Sequence, residues 1–395
     1  MRVLIVEHGG SRAALAGARA LASAGWKVGI GAPARRPPTG FSRVISSRHH
    51  VPLPGLDPDA FIEAVGSAIS TGSYEVVFGA DDAEVIALVD SREKLDAVVA
   101  HPSASALHRA LDKLTLTRAA QRAGLTTPLT WEAAESWPQR DDEPVVVKAR
   151  EHAPTSTALS RIEASVARTR KEALDIASEI RSLGGSPIFQ QWVGGALEAL
   201  VTVADDAHRT VVAAYQVAER INPPGIGRSA RARTTVLDPD LLSRAEALLR
   251  NLNWTGMAEL QFVRPAGGAP LLIDLNGRFY GSLALITGAG VNAPDIWARL
   301  ATGRPVPIPG PARVGMRYQW LEGDLRRAMI ERRDGLVSDI AGSLRYAVGA
   351  KHSMWSASDP LPAVAMAASL AGRAARRSYR RANDRIDSRQ ARRSV

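Results

Sequence analysis

Two short segments constrain this chain more than any other: Gly256-Met257-Ala258-Glu259-Leu260-Gln261-Phe262 and, after a gap, Leu271-Leu272-Ile273-Asp274-Leu275-Asn276-Gly277-Arg278. Polar and apolar residues alternate at period two, so Glu259 and Gln261 project from one face of a strand and Asp274 and Asn276 from one face of the next. Pro265 to Pro270, with its Gly-Gly, reads as the hairpin turn between them. Carboxylate and carboxamide oxygens are hard ligands that suit octahedral Mg²⁺, which completes its shell with phosphate oxygens and water. Arg278 adds a planar fork of donors beside them, and Glu259 stands by as a further ligand or as a support to one. A hairpin with a solvated polar face satisfies the same pattern, so the rest of the chain has to decide.

Two lysines lie upstream. Lys113, in Leu111-Asp112-Lys113-Leu114-Thr115, opens a helix-like run that ends at Gly124, and Lys148 closes the apolar strand Val145-Val146-Val147. An ammonium at the end of a buried strand needs an anionic partner; alone, Lys113 reads rather as a surface charge, and Lys148 equally as one. Pro187 to Gly195 reads as a strand running into a glycine turn, and Glu198 reopens a strand through Thr202.

In this order the elements resemble the ATP-grasp superfamily, nearest to its carbamoyl-phosphate-synthetase-like carboxylate-amine ligases. The resemblance spans about residues 1 to 320, and Gln261…Asp274-Leu275-Asn276-Gly277-Arg278 is its most specific part. It implies an α/β architecture: an N-terminal Rossmann-like parallel-sheet domain, a two-lobed nucleotide clamp and a helical, basic C-terminal extension. It also implies Mg²⁺ (or Mn²⁺) on Gln261, Asp274 and Asn276. Lys113 and Lys148 would contact the phosphates of ATP, Gln190, Gln191, Trp192 and Val193 would carry the adenine, and Glu198 the ribose. Arg278, with Lys148, would act on the transferred phosphoryl group. In look-alike ligases a segment such as Glu219 to Ser229 borders the acceptor site, which nominates Arg220 and Arg228 for a substrate carboxylate or phosphate. The activity implied is amide or peptide bond formation between a small-molecule carboxylate and an amine, through an acyl phosphate, with release of ADP and phosphate.

Three positions depart from the family pattern. Asp274 is one methylene shorter than the usual Glu, Gly277 stands where Pro is common, and the loop after Lys148 lacks the glycines that usually cover phosphates. Arg150, His152, Ser156 and Thr157 are the residues there that offer donors instead.

Length and composition fit this outline. In 395 residues two or three domains are expected, here 1–105, 106–185, 186–310 and a C-terminal stretch 311–395. Without cysteine there is no disulfide framework, thiolate metal site or cysteine nucleophile. Met1 to Glu7 reads as a buried strand rather than a signal peptide, no apolar run reaches the roughly 20 residues of a membrane helix, and a cytoplasmic location is expected. Gly9-Gly10-Ser11 after that strand lacks the full dinucleotide fingerprint and reads as a structural turn. Asp81 and Asp82 follow the Val76-Val77-Phe78 strand, at the carboxyl end where open sheets gather ligands.

Of the net charge of +10, +7 falls in residues 373–395, which hold nine arginines and two aspartates. Such a tail suits peripheral contact with an anionic membrane or a solubilising end; no nucleic-acid motif or aromatic interleaving accompanies it, so a nucleic-acid partner is not expected. Oligomeric state is not legible. Besides the ligase, two readings stay open: a nucleotide-binding protein without turnover, and a nucleic-acid or membrane-associated protein that acts through its basic tail.

Overall fold

The structure is a computed structural model, which describes residues 1–134, 137, 143–151 and 164–372. The N-terminal unit is built on β1 (Arg2–Val6), α1 (Arg12–Ser23), β2 (Lys27–Ala32), β3 (Ile45–His50), α2 (Pro58–Gly72), β4 (Val76–Gly79), α3 (Asp82–Asp90) and β5 (Val98–Val99). Its strands form one parallel sheet in the order β3-β2-β1-β4-β5. The continuous apolar run of β1 is buried on both faces, as a parallel sheet covered by helices requires.

The first turn settles the Gly9-Gly10-Ser11 question. Gly9 and Gly10 have φ of 117° and 86°, and the Glu7 carboxylate accepts from the amides of Gly10 at 3.1 Å and Ser11 at 2.5 Å and from the Thr39 hydroxyl. The chain's own carboxylate therefore fills the amide nest that a nucleotide phosphate would need.

Next come α4 (Ala104–Leu111) and α5 (Lys113–Arg122), then β6 (Thr130–Trp131), β7 (Val145–Ala149), β8 (Ser165–Ala167), α6 (Arg170–Ser182) and β9 (Pro187–Gln191). These four strands make a sheet in the order β6-β9-β7-β8. Val145, Val147 and Phe189 pack with Ala173, Ala177 and Ile180 of α6, so the alternate residues Lys148 and Gln190 face the other way, into the clamp.

The remaining elements are β10 (Ala196–Ala204), β11 (Thr210–Asn222), β12 (Arg228–Thr235), α7 (Pro239–Leu252), β13 (Gly256–Arg264), β14 (Leu271–Asn276), α8 (Leu283–Gly288), α9 (Ala293–Ala301), β15 (Arg317–Gln319), α10 (Leu321–Glu331), α11 (Leu336–Ala347) and β16 (Lys351–His352). They form a seven-stranded sheet in the order β14-β13-β10-β11-β12-β15-β16. The expected boundary at 310 cuts through this sheet, because β15 and β16 extend it. Nor is the segment after it loose: the buried Asp359 carboxylate accepts from Arg19 Nε at 3.0 Å, the Ser42 hydroxyl at 2.5 Å and the Arg43 amide at 3.0 Å, tying it to the N-terminal unit. Residues 361–372 are helical. The basic run 373–395, with the readings attached to it, lies outside the described residues, as do His152, Ser156 and Thr157. Among the described residues no helix is long and apolar enough to cross a membrane.

Candidate active site

The hairpin forms where its alternation places it. β13 and β14 pair antiparallel, with Glu259 opposite Asn276 and Gln261 opposite Asp274, joined by a turn at 265–270. Around Glu259, which is buried, the side chains converge: Gln261 Nε2 and Asn276 Nδ2 both donate to its Oε2 at 3.1 Å. Burial disfavours the Glu259 carboxylate and raises its pKa to about 7, against the opposing charge of Arg278.

Both lysines reach this hairpin. Lys113, buried at the first turn of α5, pairs with the Asp274 carboxylate. Asp112 caps that helix by accepting from the amides of Leu114 at 2.9 Å and Thr115 at 3.0 Å. Lys148 donates to Gln190 Oε1 at 2.9 Å and to the Ile273 carbonyl at 3.3 Å, so one ammonium bridges β9 and β14. Burial, helped by the Lys113 ammonium and opposed by Asp274, lowers the Lys148 pKa to about 8. Gln190 in turn donates to Thr130 Oγ1 at 3.0 Å. Beyond it Gln191 is exposed, with its amide on the Leu129 carbonyl at 2.8 Å, and Trp192 and Val193 are partly exposed.

Arg278 is buried and engaged across the domain boundary. Its Nε and Nη2 contact the two Asp82 oxygens at 2.5 and 3.3 Å, and Nε lies 3.4 Å from Asp81. Nη1 donates to the Phe279 carbonyl at 3.3 Å. Burial alone would lower the Arg278 pKa; the charges of Asp82 and Asp81 outweigh it and raise the value.

Three expectations are corrected. Arg220 is enclosed: its Nε, Nη1 and Nη2 donate to Glu331, Asp324 and Asp339 at 2.6–3.1 Å, locking β11 to α10 and α11 and leaving nothing for a substrate. Glu198 pairs in register with Phe262 and Val217, which puts it on the sheet face opposite Gln261, and there it is held by Arg264 at 2.9 Å and by the Tyr215 hydroxyl. It fastens that face of the sheet, on the side away from Gln261 and Asp274. Arg150, proposed to cover phosphates, instead gives Nε and Nη2 to Asp112 at 2.9 and 2.6 Å and braces the start of α5. Arg228 lies exposed at the start of β12, past the turn at 223–227.

His101 was not singled out from the sequence. It is buried, its Nε2 accepts the Gly79 amide at 2.8 Å, and its Nδ1 donates to the Gly277 carbonyl at 3.1 Å. It therefore fixes the end of β4 to the turn between Asn276 and Arg278. That pairing requires the neutral ring, and burial, outweighing the Gly277 hydrogen bond, holds its pKa down to about 3. Gly277 also acquires a reason: a Cβ there would lie 2.5 Å from two Trp254 ring carbons.

A family model described as "ATP-grasp in the biosynthetic pathway with Ter operon" matches residues 211–324, from β11 through the β13–β14 hairpin into α10. No curated protein matches the sequence. Among solved structures, an L-amino acid ligase from Bacillus licheniformis is 14% identical with a TM-score of 0.58, over 76% of this chain and 74% of that one. An N5-carboxyaminoimidazole synthetase from Staphylococcus aureus is 13% identical with a TM-score of 0.59, over 80% of each chain. The biotin carboxylase domain of a 2-oxoglutarate carboxylase from Hydrogenobacter thermophilus, solved with MgADP, ADP and bicarbonate, is 14% identical with a TM-score of 0.59, over 80% of this chain and 73% of that one.

The chain has the ATP-grasp fold. Lys148 and Gln190 come from one lobe of the ATP-grasp clamp, the hairpin set from the other, and Lys113 and Asp82 from the elements that precede them. The donor types around the hairpin suit Mg²⁺. Two carboxylates and two carboxamides, all oxygen ligands, leave positions for phosphate oxygens.

Proposed function

We propose that this chain is an ATP-dependent ligase that joins a small-molecule carboxylate to an amine through an acyl phosphate, releasing ADP and phosphate. The observation that carries the reading is the convergence of Lys113 and Lys148 on the strand that bears Asp274 and Asn276. Two ammonium groups and a set of hard oxygen donors at one spot are what a polyphosphate with its cation needs. ATP and Mg²⁺ (or Mn²⁺) are the proposed cofactors, and a cytoplasmic location goes with such substrates.

In this reading Gln261, Asp274 and Asn276 would hold the cation, which would supply positive charge against the phosphates. Lys113 then transfers from Asp274 to a phosphate oxygen, and Lys148 keeps its contacts at the lobe junction while turning toward the same anion. Gln191, Trp192 and Val193, at the exit of β9, carry the adenine. Arg278, positioned by Asp82, meets the charge that develops on the acyl phosphate. Arg228 remains a candidate for the acceptor.

A screen of ADP release settles the activity: amino acids, short peptides and dicarboxylates are tested pairwise against a panel of amines. ADP release that requires both an acid and an amine supports the ligase. Nucleotide binding without turnover for any pair favours the binder.

A further inference from the structure

The face of the seven-stranded sheet that carries the metal set does not end at Gln261. Register runs Asp274–Gln261–Ala199–Gln216 across β14, β13, β10 and β11, so all four side chains lie on one face and Gln216 sits roughly 10 Å from Gln261, two strand spacings away. Gln216 is 3% exposed. One end of its amide donates to Ser282 Oγ at 2.8 Å, while Oε1 is buried without a partner among the described residues. Flipping the amide would exchange the two atoms and still leave one end unsatisfied.

Two more buried polar atoms in the same condition flank the same short segment, Tyr280-Gly281-Ser282. The Tyr280 hydroxyl, on a residue 2% exposed, has no partner among the described residues, and neither has Arg12 Nη1. The Arg12 guanidinium is centred 3.8 Å above the Trp320 ring, and its Nη2 lies 3.3 Å from the position a Cβ would take on Gly281. The Gly281 carbonyl accepts from the Tyr318 hydroxyl at 2.6 Å. A stacked guanidinium is held in one plane with its donors aimed sideways. Buried polar atoms left unmatched are costly, and three of them lie around one segment that follows Arg278 in the chain.

We propose that Arg12, Gln216 and Tyr280 form the substrate pocket of this site, with Arg12 receiving a carboxylate that is not phosphorylated, while the Gln216 amide and Tyr280 hydroxyl bind polar groups on the same molecule. This rests on the ligase reading and names its substrate class: a carboxylate-bearing small molecule, either a dicarboxylic acid activated at its other end or an α-amino acid that supplies the amine. No bond is made or broken at Arg12; it is a binding residue.

The test uses the full chain, with Mg²⁺ and a non-hydrolysable ATP analogue present or absent. Each of the twenty L-amino acids, succinate and glutarate is titrated by calorimetry, beside the corresponding carboxamide. At least one acid is expected to bind, with its carboxamide weaker by about 30-fold or more, as for a lost charge-assisted contact. Arg12→Lys is expected to weaken that acid about tenfold, because a point charge cannot reproduce the fork, with analogue affinity unchanged. Gln216→Leu is a second variant of similar volume that is expected to weaken it as well. Whether amino acids or dicarboxylates respond identifies the source of the carboxylate. Equal binding of acid and carboxamide, wild-type acid affinity in both variants, or no acid bound by wild-type protein would each overturn the pocket. Failure of the ATP analogue to bind while an acid still discriminates through Arg12 would overturn the ligase reading and leave the pocket standing.

Discussion

Replacing Lys148 with methionine should make the protein more stable at neutral pH and a poorer binder of ATP. Lys148 has a folded pKa of about 8 against an ordinary 10.5, chiefly because burial disfavours its charge, with the Lys113 ammonium adding to the effect and Asp274 opposing it. That difference corresponds to roughly 3 kcal/mol. The sign follows from proton counts: below pH 8 both states are protonated and the folded state bears the full cost. Between 8 and 10.5 the unfolded chain binds more protons, so stability rises with pH, and above 10.5 the cost is gone. Methionine keeps the stem, removes the charge and loses the contacts to Gln190 and the Ile273 carbonyl, so a net gain of about 1–2 kcal/mol is expected at pH 7, vanishing near pH 10.

Binding of MgATP should restore the proton. At pH 9 the free site is about nine-tenths deprotonated, so binding should take up close to one proton, falling to about half at pH 8 and near none at pH 6.5. Calorimetry in two buffers of different ionisation enthalpy reads this directly, and Lys148→Met should abolish the uptake. A variant less stable than wild type at pH 7, or ATP binding whose heat is independent of buffer at pH 9, would refute the reasoning.

Other outcomes follow from the same contacts. Arg220→Met leaves Asp324, Glu331 and Asp339 facing one another and should cost about 3–5 kcal/mol in chemical denaturation, without altering the ATP affinity of the protein that remains folded. His101→Ala removes the link from Gly79 to Gly277 and should cost about 3 kcal/mol; a Tm equal to that of wild type would count against it. Gly277→Ala drives a methyl into Trp254 and should cost about 1–3 kcal/mol, with Trp fluorescence reporting the displaced ring. Arg278→Ala should lower turnover on a confirmed substrate pair by roughly two to three orders of magnitude while leaving nucleotide affinity nearly unchanged; wild-type turnover would remove Arg278 from the mechanism.

Legibility in the sequence tracked the range of the interaction. The hairpin was readable because period-two alternation is local, and β13 and β14 form with the expected faces opposed. The parallel sheet was readable from apolar runs such as Val3 to Val6, buried whatever packs on them. Partnerships across the chain left no local trace: Asp82 and Arg278 lie 196 residues apart and His101 and Gly277 176. The same holds for Arg220, whose partners belong to helices more than a hundred residues on. Arginine in a Pro/Gly-rich segment looks alike whether it awaits a ligand or three carboxylates.

Glu198 shows a subtler limit. Strand residues change face at every step, so a ligand assigned from a motif holds only if the parity of the strand carries it to the ligand's side. Counting from β10 into β13, Ala199 and not Glu198 stands in the row of Gln261, and Gln216 on β11 continues that row. Nothing in the sequence around Gln216 marks it, since Tyr215-Gln216-Val217 is an ordinary amphipathic stretch. Its position becomes informative only once register is known, because register alone decides which polar side chains share a face with Gln261 and Asp274.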